Sequence, residues 1–369
     1  MASRILLLAN SSWNLLHFRK PLIQAFREAG HEVFALAPAD QHREALAAMC
    51  TYLPLTRLHA SGQNPMQDWQ FFRELERVFR QVNPDLILPF TIKPCIWAPR
   101  AARKQEIACV PTMTGLGYSF LSGTLRKQLV LTLLRRNWRG VSRVIFQNPD
   151  DRRLFLEARL VKEEKTNIVP GSGVDTEHFS VAPWPKENTP VTFVFVGRML
   201  KDKGILELIR ACKMAYDQPI ECLLIGGTDA DNPAALSYRD LSRRLGSSSA
   251  VYLGSQEDIR PYLARAHAMI LPSYREGMPK SVLEAMSMGR PILASDVPGC
   301  RDTISSGKNG FLFPARSAEG IHRAVQIFIA EGPVRWKEMG QASRVMVEER
   351  FAAPIIQQAY LDLLKEVGL

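Results

Sequence analysis

The chain has 369 residues, 46% of them hydrophobic and 23% charged, with a formal net charge of +10. This balance excludes a disordered or fibrous chain, and the length exceeds what one hydrophobic core organises, so two domains are expected. Six scattered cysteines (Cys50, Cys95, Cys109, Cys212, Cys222, Cys300) form no Cys-x-x-Cys pair, which argues against a disulfide framework or zinc site and for reduced, mostly buried thiols.

The first apolar run, residues 5–9, is too short for a signal peptide and is followed by Asn10-Ser11-Ser12-Trp13, so it reads as a buried first strand. Next come a helix over 18–30 closed by Gly30, a strand over 32–37, a helix over 43–49, a helix over 68–81, a strand over 86–89 and a strand-like run over 141–147. Strands separated by helices imply parallel pairing in a doubly wound α/β sheet. Over 121–139, Arg126, Lys127, Arg135, Arg136 and Arg139 interleave with Leu125, Leu129, Val130, Leu133, Leu134 and Trp138, and no acid intervenes. That pattern predicts a basic amphipathic helix resting on an anionic membrane surface through Arg126, Lys127, Arg135, Arg136 and Trp138; the alternative is a core-facing helix with a solvated basic back.

Pro183, Pro185 and Pro190, with Trp184, Lys186, Glu187 and Asn188, form a polar connector. The domain boundary is placed there, giving an N-terminal domain over 1–180 and a C-terminal domain over 181–350. The alternation then restarts with strands over 191–196, 221–225, 251–253, 268–271 and 291–294, and with helices over 204–216, 234–245, 259–266 and 280–288. Two successive parallel α/β halves predict a cleft between them. Residues 353–367 are again amphipathic. No apolar run approaches the roughly 20 residues that span a bilayer; with reduced cysteines this predicts a cytoplasmic protein. The basic charge calls for an anionic partner without naming it.

Two segments carry the chemistry. Glu276-Gly277-Met278-Pro279-Lys280-Ser281-Val282-Leu283-Glu284 places one carboxylate on a loop and another about a turn inside a helix. The two could grip hydroxyls at opposite ends of a ligand whose phosphates meet the helix N-terminus, and a nucleotide-sugar has that shape. The plainer reading leaves Glu276 exposed and Glu284 on a solvent face. The second segment, Gly197-Arg198-Met199-Leu200-Lys201-Asp202-Lys203-Gly204, follows a strand, so Arg198 and Lys203 fall where a diphosphate would sit and could neutralise a departing one.

The order Gly197-Arg198…Lys203-Gly204, Ile225-Gly226-Gly227, Leu253-Gly254 and Pro272-Ser273-Tyr274-Arg275-Glu276-Gly277…Glu284-Ala285 resembles the retaining glycosyltransferases of the GT-B fold that carry a Glu-x7-Glu motif, glycosyltransferase family 4. Ser11-Ser12-Trp13-Asn14…His17-Phe18-Arg19, Thr112-Met113-Thr114-Gly115-Leu116-Gly117-Tyr118 and Phe146-Gln147-Asn148-Pro149-Asp150-Asp151 are similar to the branch that extends polyprenyl-diphosphate-linked saccharides. The resemblance implies two Rossmann-like domains facing a cleft, with the last helix, over 351–369, returning to the first domain. It implies a UDP-sugar donor, no cofactor and no divalent metal, at the inner face of the cytoplasmic membrane.

The same resemblance assigns Arg198 and Lys203 to the donor diphosphate, Glu284 to the ribose hydroxyls, Glu276 to the donor sugar, and the backbone around Gly277 and Met278 to sugar hydroxyls. Thr114-Gly115 stand where many relatives have a histidine beside a glycine. Asn14, His17, Arg19, Thr114 and Gly115 are the acceptor-side candidates, with Lys93 a further one. A transferase with a soluble acceptor and a GT-B-type nucleotide-sugar epimerase share the donor motifs. Nucleic-acid binding lacks a recognition motif, and an NAD enzyme lacks Gly-x-Gly-x-x-Gly after the first strand.

Overall fold

A computed structural model describes residues 2–58, 64–115, 124–186, 190–229, 232 and 234–369. The start of the basic stretch (121–123), the Leu116-Gly117-Tyr118 part of one motif and connector residues Glu187 and Asn188 lie outside the described residues. The chain forms two units, Met1–Ser172 with Ala353–Leu369, and Gly173–Ala352.

In the first unit, strands β1 (Arg4–Leu8), β2 (Glu32–Pro38), β3 (Thr51–Leu55), β4 (Leu86–Pro89) and β5 (Ala108–Cys109) form a parallel sheet in the order β3-β2-β1-β4-β5. β1 is apolar at successive positions because both faces are covered. Ile5 and Leu7 face a core shared with Leu15, Ile23, Phe26, Tyr360 and Leu363, and Leu6 and Leu8 face one built on Phe71, Leu75 and Phe79. A smaller parallel sheet follows, β6 (Thr112–Met113), β7 (Val144–Phe146) and β8 (Thr166–Ile168). The terminal helix Ala353–Glu366 packs on the first helix, where Gln357 Nε2 donates to the Pro21 carbonyl at 2.9 Å.

The second unit is a six-stranded parallel sheet of β9 (Val191–Val196), β10 (Ile220–Ile225), β11 (Ala250–Gly254), β12 (Ala268–Leu271), β13 (Ile292–Ser295) and β14 (Gly310–Phe313), in the order β11-β10-β9-β12-β13-β14. Its core includes Phe193, Phe195, Leu224, Ile270, Leu283 and Phe328. The helical run Ala318–Arg350 is broken at Gly332, whose φ of 76° and ψ of 170° leave helical space just before Pro333.

Several elements differ from expectation. The first helix begins at Ser12 and not at 18, because the Ser11 side chain accepts from the Asn14 N–H and starts it early. Helix Ile92–Arg103 forms despite Pro94 and Pro99. The predicted 234–245 helix shortens to Tyr238–Leu245, capped by Ser237. Among the described residues no helix is long and apolar enough to cross a membrane.

Candidate active site

In the second unit the chain winds from β9 through β10 to β11 on one side, while β12, β13 and β14 lie on the other, so the topological switch point falls between β9 and β12. Open α/β sheets bind ligands beyond the carboxyl ends of such strands. The loop after β9 carries Arg198 and Lys203, and the loop after β12 carries Glu276, Gly277 and Met278. Backbone contact ties these loops down. A Cβ on Gly226 would lie 1.9 Å from the Gly197 carbonyl oxygen, and one on Gly204 would lie 2.1 Å from that of Pro272. The Tyr274 N–H donates to the Asp202 carbonyl at 2.9 Å, and the Ser281 hydroxyl donates to the Val196 carbonyl at 3.0 Å.

The side chains converge as ion pairs. Lys203 Nζ lies 2.5 Å from Glu276 Oε1, both largely buried. The more exposed Arg198 meets Asp229 at 2.7 Å. Glu284, on helix Lys280–Ser287, is only 9% exposed and lies 3.7 Å from Lys280, which rules out the solvent-face reading. Burial pushes its carboxyl up to about 7, with Lys280 opposing part of that rise. Pro279 stands at the N-cap of this helix. No acid occupies the first turn, so the positive end of the helix is uncompensated there. Sequence reasoning gave Lys203 and Glu276 separate ligand contacts and did not foresee their mutual pairing. It missed Asp229, which nothing in the pattern after Gly226-Gly227 marks as the partner of Arg198.

The first unit has its own switch point, between β1 and β4. The loops leaving these strands run side by side, the Phe90 N–H donating to the Leu8 carbonyl at 2.7 Å. Asn14 stands in the first turn of helix Ser12–Glu28, half-buried. His17 is exposed, stacked on Trp13 at 4.8 Å, with Nδ1 3.0 Å from the Trp13 carbonyl oxygen. Arg19 is only 3% exposed, its guanidinium 4.0 Å above the Phe90 ring; it is not a solvated helix residue. Thr114 and Gly115 are half-buried just past β6. Lys93 is paired with Asp68 at 3.1 Å.

The membrane stretch needs one correction. Trp138 is buried, its indole N–H donating to the Cys95 carbonyl at 2.8 Å. It lies four residues after buried Leu134, its N–H donating to the Leu134 carbonyl at 2.8 Å, and so continues the buried face of helix Thr124–Asn137. Arg135 and Arg136 are exposed, Arg135 donating to the Ala158 carbonyl at 2.8 Å, and Lys127 is half-buried. The Arg126 side chain lies outside the described residues.

Known proteins agree with this architecture. Residues 20–171 match the family model "Glycosyl transferase 4-like domain" and residues 190–331 match "Glycosyl transferases group 1". The chain is 26% identical, over 99% of both chains, to the N,N'-diacetylbacillosaminyl-diphospho-undecaprenol alpha-1,3-N-acetylgalactosaminyltransferase of Campylobacter jejuni. It is 25% identical, over 70% of each, to the UDP-Gal:alpha-D-GlcNAc-diphosphoundecaprenol alpha-1,3-galactosyltransferase of Escherichia coli. Among solved structures, sucrose-phosphate synthase from Thermosynechococcus elongatus superposes with a TM-score of 0.84 at 20% identity over 99% of both chains. Anabaena HepE in complex with UDP and glucose gives 0.79 at 17% identity, over 98% of this chain and 99% of that one. With a glycosyltransferase family model on each half and two parallel-sheet α/β units, the chain belongs to the glycosyltransferases of the GT-B fold.

Proposed function

We propose that this enzyme moves an N-acetylhexosamine or hexose from a UDP-sugar to an undecaprenyl-diphosphate-linked saccharide, with retention of anomeric configuration and without a metal, at the inner face of the cytoplasmic membrane. The observation that carries the donor half is the meeting of Lys203 with Glu276 beside Arg198 and the buried Glu284 at the β9–β12 switch point. Glu284 takes the ribose hydroxyls and the loop of Gly277 and Met278 takes the sugar. Lys203, Arg198 and the start of helix Lys280–Ser287 oppose the charge that grows on UDP as the bond from the anomeric carbon to the diphosphate breaks. The acceptor hydroxyl attacks from the face that UDP leaves and passes its proton to the departing diphosphate. Glu276 then holds sugar hydroxyls and need not act as nucleophile.

Support for the acceptor half comes from the two relatives named for diphosphoundecaprenol substrates, and support for a membrane surface from exposed Arg135 and Arg136. Asn14, His17, Arg19, Thr114 and Gly115 are assigned to the acceptor side. A panel of labelled UDP-sugars tested against polyprenyl-diphosphate saccharides, with and without anionic vesicles, checks the reading. The expected result is label in the lipid fraction, an α-linked product by NMR, and UDP release that needs the acceptor. A new nucleotide-sugar formed without acceptor would replace this reading with epimerisation, and transfer to a soluble sugar phosphate alone would replace the acceptor.

A further inference from the structure

Three polar groups on the first unit stand near the β1–β4 switch point: the donors Arg19 Nε and Thr91 Oγ1 and the acceptor Asn14 Oδ1 are buried and, among the described residues, without a hydrogen-bond partner. Arg19 is the most telling. It lies on the inward face of its helix, four residues after buried Leu15 and three before buried Leu22, and among the described residues its guanidinium has no ion pair. A guanidinium stays charged and carries five N–H donors, so burying it without an anion is costly. Its neighbours do not supply one. Burial pushes the Tyr360 hydroxyl and the Cys95 thiol up, which keeps both neutral. Tyr360 is engaged with the Thr112 hydroxyl at 3.0 Å, and the Cys95 thiol donates to the carbonyls of Pro89 and Thr112.

Thr91 adds an independent sign. Its φ of 66° and ψ of 158° lie in a region that a β-branched residue avoids. It stands just before helix Ile92–Arg103 but makes no side-chain cap, and the first turn of this helix contains no acid; the start of Ser12–Glu28 is already met by Asp40, whose carboxylate accepts from the Trp13 N–H at 2.9 Å. Strain, one uncapped helix start without an acid and a buried arginine fork meet near the ends of adjacent strands. This combination suits a tetrahedral oxyanion, which a fork can grip in bidentate fashion.

We infer that Arg19 and Thr91, whose unpartnered Nε–H and hydroxyl are donors, form a receptor for a phosphate group at the β1–β4 switch point, and that the group it takes is the diphosphate of the lipid-linked acceptor. The assignment to the acceptor rests on the proposed function; the anion site does not.

The test is calorimetry on the full chain in saturating UDP, which occupies the second unit, titrating inorganic pyrophosphate and separately a short-chain polyprenyl diphosphate. The wild type is expected to bind both, the polyprenyl form more tightly, and each should compete with the lipid-linked acceptor. Arg19→Met should weaken binding about 30-fold or more, and Arg19→Lys should weaken it less. Thr91→Gly should raise the melting temperature by relieving strain while weakening binding several-fold, a pairing that a purely structural role for Thr91 does not produce. Should Arg19→Met fail to fold, Arg19→Lys and Thr91→Gly carry the test. No binding by the wild type, or unchanged binding in Arg19→Lys and Thr91→Gly, overturns the site. Pyrophosphate binding that does not compete with the acceptor overturns the assignment to the acceptor's diphosphate. Failure of UDP itself to bind is seen separately in the same cell and counts against the donor reading alone.

Discussion

At the switch point of the second unit the basic side chains each keep a carboxylate: Lys203 with Glu276, Arg198 with Asp229, Lys280 with Glu284. At the switch point of the first unit Arg19 is buried deeper and, among the described residues, has none. The same position in two parallel sheets thus holds charge in two ways. A paired cation is tolerable when the site is empty but must exchange a carboxylate for its ligand, which moderates affinity. That suits the proposed donor site, which would release charged UDP after every turnover. An uncompensated cation burdens the fold and reserves its full attraction for a ligand.

The largest expected effect comes from breaking the paired side. Lys203→Ala strands Glu276 and, under the proposed mechanism, removes a charge facing the departing diphosphate, so turnover should fall about 10²- to 10³-fold, read as initial rates of UDP release in the presence of acceptor. A similar rate in this variant would remove Lys203 from leaving-group stabilisation. Adding Glu276→Gln to Lys203→Ala sharpens the point: if the two act as a unit, the double variant loses less than the product of the single losses.

Glu284 supplies the next effect, through pH. Its carboxyl is raised from 4.5 to about 7 by burial, so the folded state holds a proton that the unfolded chain gives up near 4.5. The stability this confers is complete below pH 4.5 and is lost as pH rises through about 7, a change on the order of 3 kcal/mol. Chemical denaturation across pH 4.5 to 7.5 should show that decline in the wild type and a flatter profile in Glu284→Gln. If Glu284 takes the ribose hydroxyls as proposed, its ionised form is the one that accepts both, so UDP should bind about tenfold more weakly at pH 6 than at pH 8, and Glu284→Gln should erase the difference. Equal affinity at the two pH values would argue against a ribose contact at Glu284.

The smallest effect tests the exposed pair. Asp229→Asn frees Arg198 from its counter-charge, and because the pair is open to solvent the gain is modest, with donor KM falling about two- to fivefold and kcat unchanged. A rise in KM would mean that Asp229 itself contacts the donor.

How far the sequence reveals this arrangement depends on how local each signal is. Strands such as β1 and β9 are legible as apolar runs because both of their faces are covered. Gly204 and Gly226 entered only as parts of a motif, and the close backbone approaches they permit emerge from the structure. Helix Ile92–Arg103 is hidden by its prolines, and strand β3 by Pro54 and by flanking polar residues. The burial of Arg19 was available in the spacing of Leu15, Arg19 and Leu22, but its charge suggested solvent. Trp138 misleads for the opposite reason: its interface-loving character suggested a membrane contact, although its spacing from Leu134 puts it on the buried face. The partnership of Arg198 with Asp229 spans 31 residues and two loops, a long-range pairing that no local pattern encodes.

The most direct test of the central claim compares one saccharide presented in two forms, joined to a polyprenyl diphosphate and as a simple glycoside, with a labelled UDP-sugar as donor. The account predicts that the wild type transfers readily to the diphosphate-linked form and poorly to the glycoside, and that Arg19→Lys narrows the gap while donor KM stays unchanged. Equal transfer to both forms by the wild type would contradict it.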